Sequence, residues 1–323
     1  MRASNFGERQ LAGLGVTRLR TILVATDLSA QDNVAVQRAW QLADAHRAHL
    51  KLMYMPASGV DVAPDATQRL ANLARQLEEN SAMRVSTVPV RCHTIEDLVQ
   101  QAARADLVVL PHRARSTAAF FRGHPVLRVL RGAGCPVLVA RWASHANYQR
   151  ILVGVDFSAE SQSLVRFAAH LQLTANVQVF HAIDTGEEAH LRAADVTHEA
   201  VQAYREKSLN HAWESMFAFT DALQTRKTQL LTAIGRGEAG GQIVKKQQQS
   251  GADLVVVGKK PSSTWTDFLC GSVAHRVLSW STGDVLVVPL RRAPRSAVTA
   301  FRRIARADIP RAPQPVEVRH ERA

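Results

Sequence analysis

The chain repeats itself. The stretch TILVATDLSA at 21–30 returns as RILVGVDFSA at 150–159, an offset of 129 residues. Further on, ADLVVLP (105–111) returns as ADLVVVG (252–258), and FFRGHPVLRVLRGAGCPVLVA (120–140) returns as FLCGSVAHRVLSWSTGDVLVV (268–288) without a gap. Repeated features in a kept order mark a duplicated structural unit, so the fold must be two copies of one architecture. The link between copies falls at RWASHANYQ (141–149), and 323 residues give each copy enough length for a core of its own.

Each copy opens with a short β-rich run that ends in Asp, with Ser two residues later, and a helical pattern follows. Val36, Trp40 and Ala43 share one helical face in the first copy, and Leu164, Phe167 and Leu171 share one in the second. Second strands are predicted at 49–55 and 176–183. Strands alternating with helices imply βαβ crossovers and a parallel sheet covered on both faces. The expected class is α/β: two tandem doubly wound five-stranded parallel-sheet domains. Ligands of such sheets sit beyond the carboxyl ends of the strands, at a topological switch point. Asp27 and Asp156 end the first strands, and the loops after the fourth strands open onto the same rim.

The net charge of +12 is concentrated at the ends. Residues 1–20 carry +3 and residues 290–323 carry +6, which leaves +3 for the 269 residues between them. The predicted division is a basic N-terminal extension (1–18), domain 1 (19–143), domain 2 (149–290) and an Arg-rich, disordered tail (291–323). Such a tail suits an acidic partner, whereas nucleic acid is not an expected partner because the basic segments lack interleaved aromatics. No apolar run is long enough for a membrane span, and no secretory h-region opens the chain. Cys92, Cys135 and Cys270 form no CxxC pair, as expected of reduced thiols in the cytoplasm.

No nucleophile elbow, P-loop lysine or kinase motif is visible, so no catalytic residue is assigned. Glu187, His190, His198 and Glu199 lack metal-ligand spacing and read as a solvated helix, so no metal is expected. Leu209, Trp213, Met216, Thr220 and Leu223 recur at three and four residues and read as a core or interface stripe.

ILVGVDFSAES and DLVVVGKKPSSTWTDFLCGSVAHRVLSWSTGDVLVV together resemble the universal stress protein family, and the likeness spans about residues 19–290. The resemblance implies an adenine nucleotide alpha hydrolase-like fold and an internal pseudo-dimer joined through the last strands, PVLVA (136–140) and DVLVVP (284–289). ATP-binding members carry Gly-x2-Gly-x9-Gly-Ser/Thr after the fourth strand. In the second copy Gly258 fits the first position, Pro261 stands at the second, and Gly271-Ser272 fits the end. Glycines let the backbone approach a polyphosphate, a helix N-terminus and the Ser272 hydroxyl meet its charge, and Lys259 and Lys260 add attraction. By resemblance, Asp156 contacts the adenosine end beside Val155 and His181. The other reading of Asp156 is a turn residue that prepares the next helix, and of Gly271-Ser272 a simple cap. Proline offers no N–H, so a phosphate bond lost there costs about 1.5–3 kcal/mol, roughly tenfold to hundredfold in affinity. In the first copy Pro111, Ala114 and Gly123-His124-Pro125 replace the motif, and the ATP site reads as lost.

The expectation is a cytoplasmic, non-catalytic stress-response protein with a weakened site for ATP or another adenine nucleotide in the second domain only. The competing expectation is a nucleotide-independent scaffold whose basic tail engages an acidic partner. A homodimer of the pseudo-dimer is left open.

Overall fold

The computed structural model describes residues 19–57, 60–91, 93–112, 125–141, 147–194, 196–223, 230–259 and 272–290. In the first half the elements are β1 (Thr21–Thr26), α1 (Asn33–His46), β2 (His49–Tyr54), α2 (Ala66–Glu79), β3 (Val85–Thr87), α3 (Ile95–Ala102), β4 (Leu107–Pro111), α4 (Pro125–Gly132) and β5 (Val137–Ala140). The second half gives β6 (Arg150–Gly154), α5 (Ala159–Leu171), β7 (Asn176–Ile183), α6 (Gly186–Ala193), α7 (His198–Asp221), β8 (Leu230–Arg236), α8 (Ala239–Ser250), β9 (Leu254–Lys259), α9 (Ser272–Trp280) and β10 (Asp284–Pro289).

All ten strands form one sheet in the order β3-β2-β1-β4-β5-β10-β9-β6-β7-β8. Each half is a parallel five-stranded unit with its first strand at the centre. The expected joint through the last strands is present: β5 and β10 pair antiparallel, Leu138 opposite Leu286, Val137 opposite Val287 and Val139 opposite Val285. Each half thus covers an edge of the other, which leaves β3 and β8 as the outer edges.

The central strands read as continuous apolar runs because both faces are buried. Alternate residues supply two cores. Ile22, Val24, Leu107, Val109, Leu138, Ile151, Val153 and Leu286 belong to the core that also takes Val36 and Leu42 of α1 and Leu164 and Met216 of α5 and α7. Leu23, Val108, Val137, Leu152, Val255 and Val285 belong to the other, which takes residues of α3, α4, α8 and α9. Both cores cross the seam between halves without interruption.

Local chemistry sets the helix ends. A capping box of Thr94 and Asp97 starts α3, Pro125 opens α4, and Glu238 accepts from Gly240 and Gly241 N–H at the start of α8. Gly251 ends α8 at φ 60°, a left-handed conformation that glycine takes at little cost. Residues 187–200, expected as one solvated helix, divide between α6 and α7, and Glu188 turns inward. Its carboxylate, 6% exposed, pairs with Arg192, Arg205 and Arg236. The stripe at 209–223, on α7 and just past its end, also divides: Met216 and Leu223 are buried, while Leu209 is 37% exposed.

Candidate functional site

The carboxyl ends of β6, β7 and β9 lie side by side in the order β9-β6-β7, with the switch point between β9 and β6. Val155 follows β6 directly; its N–H donates to the Phe180 carbonyl at 2.9 Å, which extends the β6–β7 pairing by one residue. The Val155 carbonyl is 2.9 Å from Nδ1 of His181 on β7. A carbonyl only accepts, so Nδ1 carries the proton of that bond. Burial lowers the His181 pKa below 6.5, outweighing the opposing pull of the Val155 bond and Asp156, so the ring is neutral at pH 7 and presents Nε2 as an acceptor.

Asp156 stands exposed at the rim and organises its own turn. Its Oδ1 accepts from Ser158 N–H at 3.2 Å, from Ser158 Oγ at 2.5 Å and from Ser161 Oγ at 2.6 Å. Ser158 in turn caps α5, its Oγ accepting from Ser161 N–H at 3.2 Å. The turn role read from Asp-x-Ser is therefore filled. Phe157, between them, adopts φ 60°, and its ring packs 4.1 Å from His181 and 5.8 Å from Phe219. This aromatic group had no signal in the sequence beyond composition, since its contacts join β6, β7 and α7.

The first half repeats the turn with different atoms. Leu28 has φ 63°, Asp27 Oδ1 accepts from Ser29 N–H at 2.9 Å, and Asp32 stands where Ser161 stands, accepting from Asp27 N–H at 2.8 Å. Beside it a cleft of about 350 Å³ opens between α1 and α2, lined by Leu28, Ser29, Asn33, Val36, Arg69 and Asn72 among others.

Gly258 and Lys259 end β9. The space a Cβ would need at Gly258 holds Leu290, whose Cδ1 would be 2.4 Å away. Lys259 Nζ donates to the carbonyl of Leu130 at 2.5 Å, in α4 of the other half. Ser272 opens α9, and its side chain lies outside the described residues, as do Lys260, Pro261 and Gly271. The structure thus brings Val155, Asp156 and His181 together on neighbouring strand ends, with Gly258 one strand away, and engages Lys259 at the seam. Among the described residues no group of three or more His, Cys, Asp or Glu is placed to hold a metal ion, and no helix is long and apolar enough to cross a membrane.

The family model described as universal stress protein family matches this chain twice, over residues 18–141 and 147–289. The chain belongs to the universal stress protein family. A universal stress protein of Mycolicibacterium smegmatis is 24% identical over 302 residues, covering 83% of this chain and 96% of that protein. Universal stress protein YxiE of Bacillus subtilis is 24% identical over 149 residues, 44% of this chain and 99% of its own, as expected of a single-domain relative. The fold is shared with a functionally unknown protein of Pseudomonas aeruginosa PAO1, at 23% identity and a TM-score of 0.62 over 90% of this chain and 98% of that one. It is shared also with a universal stress protein of Archaeoglobus fulgidus, at 16% identity and a TM-score of 0.57 over 84% of this chain and 96% of that one. The tandem arrangement of two universal stress protein domains and the α/β class are thereby established for this chain.

Proposed function

We propose that this universal stress protein is a non-catalytic regulator that holds an adenine nucleotide in its second half, at reduced affinity. The observation behind the reading is the convergence of Val155, Asp156 and His181 on the adjacent ends of β6 and β7, one strand from Gly258 on β9. A carboxylate at such a rim accepts from ribose hydroxyls, and a neutral histidine accepts from an exocyclic amine. The phosphates fall to the start of α9, where Lys260, Gly271 and Ser272 meet them and Pro261 withholds one N–H. Lys259, whose ammonium already bonds to Leu130, adds only the attraction of its charge from the seam.

A second reading has its own support. Leu290 fills the space beside Gly258 and Lys259 is engaged by protein, as in a loop kept for packing alone. In that case the chain is a scaffold, and residues 291–323 engage an acidic partner.

Calorimetric titration of ATP into the purified chain, after mass spectrometry for carried-over nucleotide, separates the two. Saturable binding near one per chain, abolished by Gly271→Asp and tightened about tenfold or more by Pro261→Gly, is expected. Absence of binding in wild type, with no carried-over nucleotide, sinks the nucleotide reading. Deletion of 291–323 then tests whether partner capture depends on the tail.

A further inference from the structure

The β5–β10 joint does not by itself choose its partner. The offset of 148 that relates the two copies here carries Val137, Leu138 and Val139 onto Val285, Leu286 and Val287. Leu138 opposite Leu286 lies on the local two-fold axis, and the flanking pairs exchange across it. Two first halves, or two second halves, from different chains would offer the same Val-Leu-Val ladder. The cationic contacts near the seam are equally indifferent. Lys259 bonds to the carbonyl of Leu130, and Arg141 to that of Leu278, which is the equivalent position. Either contact would survive a like pairing.

One cluster breaks this symmetry. Asp284, 1% exposed, accepts on Oδ2 from Arg38 Nε at 3.0 Å and from Tyr148 OH at 2.6 Å, and on Oδ1 from Arg141 N–H at 2.7 Å. The Arg38 guanidinium lies 4.2 Å from the centre of the Tyr148 ring and also donates to Gln41 at 2.8 Å. Arg38 and Arg141 come from the first half, Asp284 and Tyr148 from the second.

None of the four has a polar equivalent. The burial of α1 and α5 matches at the offset of 129: Ala35, Val36, Arg38, Ala39 and Leu42 answer Leu164, Val165, Phe167, Ala168 and Leu171. Arg38 therefore corresponds to Phe167, Tyr148 to Leu19, Asp284 to Pro136 and Arg141 to Pro289. Were two second halves to pair, each Asp284 would lose the arginine to a phenylalanine, and the Arg141 N–H to a proline that has none. Were two first halves to pair, each Arg38 would be buried against Pro136. Each like pairing strands two buried charges, and a buried charge deprived of its partner is strongly destabilising.

We propose that the Arg38–Asp284–Tyr148 cluster, with Arg141, commits each half of this chain to an unlike partner, the one its own chain supplies, and rejects the pairing of like halves from two chains. The proposal concerns the seam and is independent of nucleotide binding. Charge removal on both sides leaves a seam that tolerates either pairing, because neither like pairing then buries a charge without its partner.

Disulfide trapping in the full chain tests it. The reporter carries Leu138→Cys and Leu286→Cys, with Cys92→Ser, Cys135→Ala and Cys270→Ser, and is refolded from urea at low and high protein concentration under an oxidising buffer. In the wild-type seam the introduced thiols are expected to join within one chain at every concentration. In Arg38→Met/Asp284→Asn, covalent dimers on non-reducing gels, linked 138 to 138 or 286 to 286 by peptide mapping, are expected to rise about tenfold or more and to grow with concentration. Intrachain bonds alone in this variant, or interchain dimers at the same level in the wild-type seam, overturn the proposal. If the double variant shows no cooperative urea transition, Asp284→Asn alone serves. It is expected to give a smaller but concentration-dependent excess of dimers, and a wild-type level overturns the proposal equally.

Discussion

The ring of Phe157 lies 4.1 Å from that of His181, centroid to centroid, with the planes tilted by 30°. The contact joins the turn after β6 to the strand beside it and covers the histidine that faces the rim. Burial, the largest influence on His181, holds its pKa below 6.5. Phe157→Ala uncovers the ring, so its pKa is expected to rise toward the ordinary value in an NMR titration of the imidazole protons. The sign for stability follows from the same shift. A base depressed in the folded state contributes fully above its unfolded pKa, and that contribution is lost as pH falls below about 6.5. Phe157→Ala is therefore expected to flatten this part of the pH profile. An unmoved His181 titration would mean that other groups bury it.

Much of this arrangement was legible in the repeat. Runs such as ILVA and LVVV, recurring in order, give the first, second, fourth and fifth strands of each half and the seam through 136–140 and 284–289. The third strands carry no pattern in the sequence, for physical reasons. Val85–Thr87 is three residues of the outer edge, too short for a period, and β8 is a partly exposed edge without alternation. The turn role of Asp156 is legible because Asp-x-Ser chemistry is local, whereas Val155 and His181 enter only through the family resemblance. The seam cluster is hidden in the sequence because Arg38 reads as a surface residue of an amphipathic helix. Its partner is 246 residues away. The one available signal was the mismatch with Phe167 at the equivalent position of the second copy. For Lys259 the sequence shows a charge suited to phosphate and not the Leu130 carbonyl across the seam.

Glu188 gives an acid-side prediction. Hydrogen bonds from Arg205 and Arg236, joined by the charge of Arg192, hold its carboxyl near 2 against an ordinary 4.5. A carboxylate depressed in the folded state contributes above its unfolded pKa, and the contribution fades as pH falls from about 4.5 toward 2. Wild type is expected to have a higher urea midpoint than Glu188→Gln at pH 6, with the gap closing steadily between pH 5 and pH 2.5. A gap independent of pH would assign Glu188 a packing role alone.

Cys135 is buried two residues before the last strand of the first half, and that burial pushes its thiol up to about 12. The thiolate is the reactive form, so almost none exists at pH 8 in the folded chain. Alkylation at pH 8 followed by peptide mapping is expected to leave Cys135 unmodified until urea unfolds the protein, with a labelling curve that follows the unfolding transition. Rapid labelling in the absence of urea would contradict the burial.

Two glycines near the last strands separate backbone crowding from mere flexibility. A Cβ at Gly283 would lie 2.7 Å from the carbonyl oxygen of Asp253 and 2.7 Å from Nε2 of Gln247, with the Ala252 oxygen at 3.1 Å. None of these yields easily. The Asp253 oxygen accepts from Asp284 N–H at 3.0 Å, and Gln247 is buried with its Oε1 taking the Ser281 hydroxyl at 2.8 Å. At Gly134, by contrast, an added Cβ meets no atom within 4 Å. Gly283→Ala is expected to destabilise by about 1–3 kcal/mol, the usual result of overpacking, and Gly134→Ala to be neutral or stabilising by up to about 1 kcal/mol through the unfolded chain. Urea midpoints at constant slope measure both. Because Gly283 immediately precedes Asp284, its variant is also expected to loosen the seam, so in the disulfide-trapping assay Gly283→Ala should raise interchain dimers while Gly134→Ala leaves them at the wild-type level. Equal midpoints for the two variants would show that the loop before β10 relaxes freely, and that Asp284 is held by its partners across the seam without help from the turn that delivers it.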